Sequence, residues 1–195
     1  MQKYRTIGVG RGGIEAVNYM IQSGINPDNC ISCHYADVLF RLNAYASKKI
    51  ALRPFTGLCG GSRNFVNHVD KAVREQSKEI ISALRNTDIL FIVTCMGGFV
   101  GSVASPFIAE SAKKQGITTV TVATKPFTIE GRQRMKIAEE GFIKLGKFSD
   151  EMEIVVLDRI LNRDAFADIG IKEAFAIGYD ELYQYVKCFL EDNIH

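Results

Sequence analysis

Residues 4–21 read YRTIGVGRGGIEAVNYMI. The apolar run Tyr4–Val9 reads as a β-strand, and glycines close it at once. Beyond them, apolar residues at 14, 17, 20 and 21 share one face of a helix over Ile14–Gln22, which Gly24 and Pro27 end. The turn between, Gly8-Val9-Gly10-Arg11-Gly12-Gly13, satisfies the spacing G-x-G-x-x-G. Glycines let a backbone approach a phosphate, and the helix that follows presents unpaired N–H groups to it. The competing reading is a tight strand–helix turn that binds nothing. Four glycines in six residues exceed what such a turn needs, which favours phosphate.

The same alternation continues outward. Strands are expected at Cys30–His34, Lys49–Leu52, Asp88–Thr94, Ile117–Ala123 and Glu153–Leu157. Between them stand helical patterns over Asp37–Ala46, Phe65–Leu84, residues 101–115, Thr128–Leu145 and Ile171–Leu190, with a glycine-rich loop over Pro54–Asn64. Asp88–Thr94 is apolar without a break, as in a parallel sheet buried on both faces. End-to-end strand–helix alternation argues an α/β fold, a doubly wound and mostly parallel sheet with helices on both faces. Ligands of such sheets lie beyond the carboxyl ends of the strands.

At 195 residues, with 47% hydrophobic and 24% charged residues, the chain is expected to form one domain over 1–195. A formal charge of +2 gives no reason to expect nucleic acid or an anionic membrane as partner. No apolar run reaches the roughly 18 residues of a membrane span. The N-terminus enters a strand too early for a signal peptide, and five cysteines are an odd number, so reduced thiols in a cytoplasmic protein are expected.

A second glycine turn, Met96-Gly97-Gly98-Phe99-Val100-Gly101-Ser102, follows the most apolar strand. Two such turns on one sheet suggest a ligand with several phosphates between two helix ends; close strand–helix packing is the alternative. There is no G-x-x-x-x-G-K-[ST], so a P-loop is disfavoured. A dinucleotide fold would want an acidic residue at the end of the second strand, where His34 sits with Asp37 just beyond. Cys30-Ile31-Ser32-Cys33-His34 matches C-x-x-C-H, but on a strand its cysteines point to opposite faces, so core thiols are expected and no metal site. Glu130 and Arg134 are four apart on a helix; spacing alone reads them as a solvated ion pair.

Taken together and in order, these stretches resemble FtsZ, the bacterial relative of tubulin. IGVGRGGIEAVNYMI (7–21) is similar to the family's first glycine loop and helix, and TGLCGGSRN (56–64) to its third nucleotide loop. DILFIVTCMGGFVGSVASPFIAESAKKQG (88–116) resembles the strand, signature loop and helix, and TVATKPFTIEGRQRM (121–135) is the most specific match. LDRIL (157–161) resembles N-D-R-L-L, and IKEAF (171–175) the start of the core helix. The resemblance implies a GTP- or GDP-binding domain, with Mg²⁺ an optional companion of GTP. Gly10, Arg11, Gly12 and Gly13 would line the first phosphate loop, Gly60 and Gly61 another, and Gly97, Gly98, Gly101 and Ser102 the signature loop. Glu130 and Arg134 would touch the ribose, against the spacing reading, and Phe175 would pack on the guanine.

The chain departs from the family at chosen places. Phe99, Val100 and Val103 stand in a signature that otherwise reads GGGTGTG. Arg11 replaces a glycine and Glu15 an asparagine that touches the base; Leu157 replaces an asparagine; the guanine-reading aspartate falls at Tyr179, with Asp180 next to it. The family's catalytic acidic loop and second domain would follow the core helix, and the sequence ends within that helix at His195. The acidic stretch Asn162–Asp168 precedes the helix and reads as a connection. The leading expectation is a GTP-binding domain with little or no hydrolysis alone, linked by family to cell division or filament assembly. Its partners would be guanine nucleotide and a second copy or an FtsZ-like protein. A nucleotide-free scaffold or regulator and an NAD(P)-binding protein are the alternatives.

Overall fold

The computed structural model describes residues 2–53, 62–161 and 169–193. Six parallel strands form one sheet: β1 (Tyr4–Val9), β2 (Cys30–Tyr35), β3 (Lys48–Leu52), β4 (Ile89–Cys95), β5 (Thr118–Lys125) and β6 (Glu151–Val156). Their order is β3-β2-β1-β4-β5-β6. Ile7 of β1 stands beside Ile31 of β2 on one side and Ile92 of β4 on the other. The winding direction therefore reverses between β1 and β4, the strands that carry the two glycine turns.

The helices are α1 (Gly10–Gln22), α2 (Ala36–Arg41), α3 (Ser62–Glu75), α4 (Ser77–Ala83), α5 (Phe99–Lys113), α6 (Arg132–Leu145), α7 (Leu157–Leu161) and α8 (Ile171–Asn193). Alternation along the strands splits the core. Ile7, Val9, Ile31, Leu90 and Ile92 face α3, α4 and α5, with Val69, Ile80 and Ile108. Phe91, Val93, Val120 and Val122 face α1 and α8, with Val17, Met20, Leu182 and Val186. Burial on both faces is what made β4 read as a continuous apolar run.

Several expected helices come out differently. Helix α1 begins at Gly10, four residues before the expected Ile14, and α5 runs over Phe99–Lys113 where 101–115 was expected. The long helix over Phe65–Leu84 is two, α3 and α4, broken at Gln76. The apolar phase that runs through 69, 72 and 73 calls next for 76, and a glutamine stands there. The helix over Thr128–Leu145 is a 3-10 turn, Thr128–Glu130, followed by α6, because Gly131 takes φ +96° between them. The short helix after β2 ends at Arg41, and Asn43 turns the chain with φ +45°. Of the glycine-rich loop, Ser62–Asn64 belong to α3; the rest, with Gly60 and Gly61, lies outside the described residues, as does the acidic stretch Asn162–Asp168.

Among the described residues no helix is long and apolar enough to cross a membrane. Helix α8 is tied to α1 by three tyrosine hydroxyls. Tyr179 donates to Glu15 at 3.0 Å, Tyr19 to Asp180 at 2.8 Å, and Tyr183 to the Ser23 carbonyl at 2.8 Å. Such bonds hold α8 along one face of the sheet, and its first turns, at Lys172, Phe175 and Tyr179, form a wall of the site.

Candidate functional site

The turn after β1 and the turn after β4 touch. Gly10 takes φ +76°, and a Cβ placed on it would stand 2.8 Å from the Gly101 amide nitrogen. Gly101 is as confined, since its own Cβ would meet Thr94 Oγ1 at 2.7 Å. A Cβ on Gly12 would strike Cys95 Sγ at 2.6 Å, and one on Gly13 would run into the Val93 carbonyl. Much of the glycine content is thus demanded by close packing, the alternative weighed from sequence. Gly98 differs: a Cβ there would meet nothing nearer than the Cys95 carbonyl at 4.0 Å.

Because the turns touch, the N-termini of α1 and α5 open into one cavity of about 730 Å³. Neither helix has a side-chain cap or an acidic residue in its first turn among the described residues. Their first amides therefore present partial positive charge to the cavity. The volume is that of a small-molecule site. Its lining includes Gly10, Arg11, Gly12, Gly98, Gly101, Glu130, Arg134 and Phe175, so these expected site residues come together. Gly13, Gly97 and Ser102 stand behind the lining. Gly97 packs against Arg134 and Pro126, and its N–H donates to Ser102 Oγ at 2.9 Å, so that buried hydroxyl braces the turn.

Phe99 does not fill the cavity. Its ring stacks on Phe65 with centroids 5.1 Å apart and planes 16° off parallel, and both rings become part of the wall. Val100 is buried in the core beneath it. At the opposite end, Phe175 meets Phe127 edge-on at 5.2 Å and lies 6.1 Å from Tyr179. Leu157, where the family has an asparagine, is buried against Gly178 and gives that end an apolar floor.

Glu130 is more than a solvated partner of Arg134. Its carboxylate accepts from the Phe127 N–H at 2.9 Å and pairs with Arg134, and its side chain is only 17% exposed. Thr128 is bound to Asp158, its hydroxyl donating at 2.6 Å. Glu15 accepts from Arg11 Nε at 3.1 Å and from Tyr179 at 3.0 Å, so a chain Arg11–Glu15–Tyr179 crosses the end beside Phe175. Burial holds the Tyr179 phenol well above its ordinary range. Asp180 is turned away and held by Tyr19.

His34 ends the lining on the β2 side. Burial lowers its pKa from 6.5 to about 4, so it is neutral at physiological pH. The cysteines of the C-x-x-C-H stretch are buried in the two opposite core layers, Cys30 against α1 and Cys33 against α3, and burial pushes both thiols up to about 12. Asp37 is paired with Arg41 on the surface. Lys172 also lines the cavity and carried no assignment from sequence; its signal was its place three residues before Phe175, on the same helical face.

The Tyr179 hydroxyl is a testable element of this wall. Tyr179→Phe is expected to lower stability by about 1 to 2 kcal/mol, since Glu15 loses a charge-assisted partner. Urea unfolding measures it, and a double-mutant cycle with Glu15→Gln should return a coupling of about 1 kcal/mol.

A parallel doubly wound sheet with a cavity where its order reverses defines a Rossmann-like α/β domain. The sequence profile described as "Tubulin/FtsZ family, GTPase domain" matches residues 3–162, and the chain belongs to that family. It is 35% identical to cell division protein FtsZ 1 of Thermococcus kodakarensis over 189 residues, 97% of this chain and 50% of that protein. With cell division protein FtsZ of Pseudomonas putida it shares 37% over 182 residues, 91% of this chain and 44% of that one. The solved structure of an empty FtsZ dimer from M. jannaschii superposes with a TM-score of 0.84 at 29% identity, over 98% of this chain and 55% of that one. The chain thus spans about half the length of the curated relatives it matches.

Proposed function

We propose that this chain binds a guanine nucleotide in the cavity between the β1 and β4 turns and hydrolyses it slowly or not at all on its own. The observation that carries the reading is the contact of Gly10 with Gly101, which aims two uncapped helix N-termini at one hollow. Membership of a family described by its GTPase domain names the ligand class.

The residues fit a nucleotide. The amides of Gly10–Gly12 and Gly98–Gly101 would hold phosphates, Glu130 and Arg134 a ribose, and Phe175 a base. GTP bound there would supply the phosphoanhydride to be cleaved. The described carboxylates lining the cavity, Glu15 and Glu130, are both committed to cations and hydrogen-bond donors, so neither is free to position an attacking water. A Mg²⁺ accompanying GTP would accordingly draw its ligands mainly from phosphate and water oxygens.

Equilibrium binding tests the proposal. GTP and GDP are expected to bind and NAD(P) not to; absence of guanine nucleotide binding at millimolar concentration would refute it. Phosphate release per molecule should stay low and flat as protein concentration rises, and a steep rise would contradict the hydrolytic half. A nucleotide-free scaffold is the second reading. The chain Arg11–Glu15–Tyr179 favours it, because a base settling against Phe175 has to displace or accept those bonds.

A further inference from the structure

The lining of the cavity changes character along the strand order. Phe175, Tyr179, Glu130 and Arg134 stand at the β5–β6 side, the two glycine turns in the middle, and His34 at the tip of β2. A nucleotide whose base lies against Phe175 and whose phosphates cross the turns ends near β2. What stands there is an imidazole with a fixed orientation.

The orientation follows from one bond. The Tyr35 N–H donates to His34 Nδ1 at 2.7 Å. An accepting Nδ1 carries no proton, so in the neutral ring the proton sits on Nε2. The ring is further held edge-to-face on Tyr35, with centroids 5.4 Å apart. Among the described residues the cavity thus ends on this side in an oriented N–H donor that is neutral at physiological pH, and Asp37 beyond it is engaged by Arg41.

We propose that His34, through Nε2–H, is the group that recognises the terminal phosphate of a bound nucleoside triphosphate and so sets the preference of this site for tri- over diphosphate. The assignment rests on the nucleotide reading above and goes beyond it in naming the residue and the phosphate it senses. A donor of this kind adds binding to a triphosphate and nothing to a diphosphate that stops short of it. Loss of a hydrogen bond to a charged oxygen is expected to cost roughly ten-fold or more in affinity.

The test compares GDP with a non-hydrolysable GTP analogue on the full chain. In wild type, the Nε2–H resonance of His34 should move on adding the triphosphate and stay nearly in place with GDP. His34→Phe keeps a ring without the donor. It should weaken triphosphate binding roughly ten-fold or more while leaving GDP affinity near wild type. His34→Gln, which restores an N–H, should recover part of the difference. GDP binding serves as the internal check that each variant is folded. Nucleotide binding with an unmoved His34 resonance, an unchanged triphosphate-to-diphosphate ratio in His34→Phe, or a parallel loss for both ligands in both variants overturns the assignment alone. If wild type binds neither nucleotide, the nucleotide reading itself fails and takes this one with it.

Discussion

Gly101→Val is expected to destabilise the protein by about 3 kcal/mol or more and to abolish nucleotide binding in whatever folded fraction remains. The first carbon of any side chain at 101 would stand 2.7 Å from Thr94 Oγ1, 3.0 Å from the Cys95 carbonyl and 3.5 Å from the Val9 carbonyl. Thr94 cannot swing aside without cost, because its buried hydroxyl donates to the Val9 carbonyl at 3.2 Å and ties the end of β4 to the end of β1. Beyond that hydroxyl the obstacles are main-chain carbonyls of two strands, so the relief available to a flexible neighbour is missing. Urea unfolding at unchanged m-value gives the stability loss, and titration with GDP gives the binding loss. Gly98→Ala is the contrast: its added methyl meets nothing within 4.0 Å, and stability should stay within about 1 kcal/mol of wild type. If the two substitutions cost the same, contact between the turns is not what positions the helix ends.

Phe91→Ala is expected to cost about 3 to 5 kcal/mol, which is a large part of the stability of a domain this size. Phe91 is wholly buried at the middle of β4, with Phe189 edge-on at 5.3 Å and Tyr4 at 6.3 Å. Removing the ring leaves a void between the sheet and the C-terminal half of α8, and the edge-to-face pairs go with it. Hydrogen exchange should quicken first in α8 beyond Leu182. A loss below about 1 kcal/mol would mean that α8 collapses onto the sheet and that its packing is not specific to this ring.

How much of this could be read from the chain depends on how local the cause is. The glycine turn after β1 was not legible to the residue, since α1 begins at Gly10, four residues before the Ile14 that opens the apolar period. Strand β1 itself was, because a short apolar run ended by glycines is local. The other strands were legible within one or two residues for the same reason. Helix α7 was not, since five residues, Leu157–Leu161, are too few to display a period, though their likeness to a family motif was visible. The site was half legible. Glycines marked where to look; Glu130 and Arg134 were marked by the family resemblance and not by their spacing, which read as a solvated ion pair. The bond between Glu15 and Tyr179 joins residues 164 apart and exists only because α8 crosses back over α1, which no spacing encodes. The stacking of Phe99 on Phe65 was equally hidden: sequence shows that a bulky ring replaces a glycine, and only packing decides whether that ring obstructs the hollow or becomes its side.

The pairing of β1 with β4 carries a kinetic consequence. Tyr4–Val9 lies in register with Ile89–Thr94, so the first strand made waits for the fourth before its second edge is covered. Contacts this distant along the chain are slow to form and follow a long search. The cavity straddles that very seam. Refolding should therefore recover helical signal early and ligand capture late, and a nascent chain released before β4 would have half a cradle and nothing to hold.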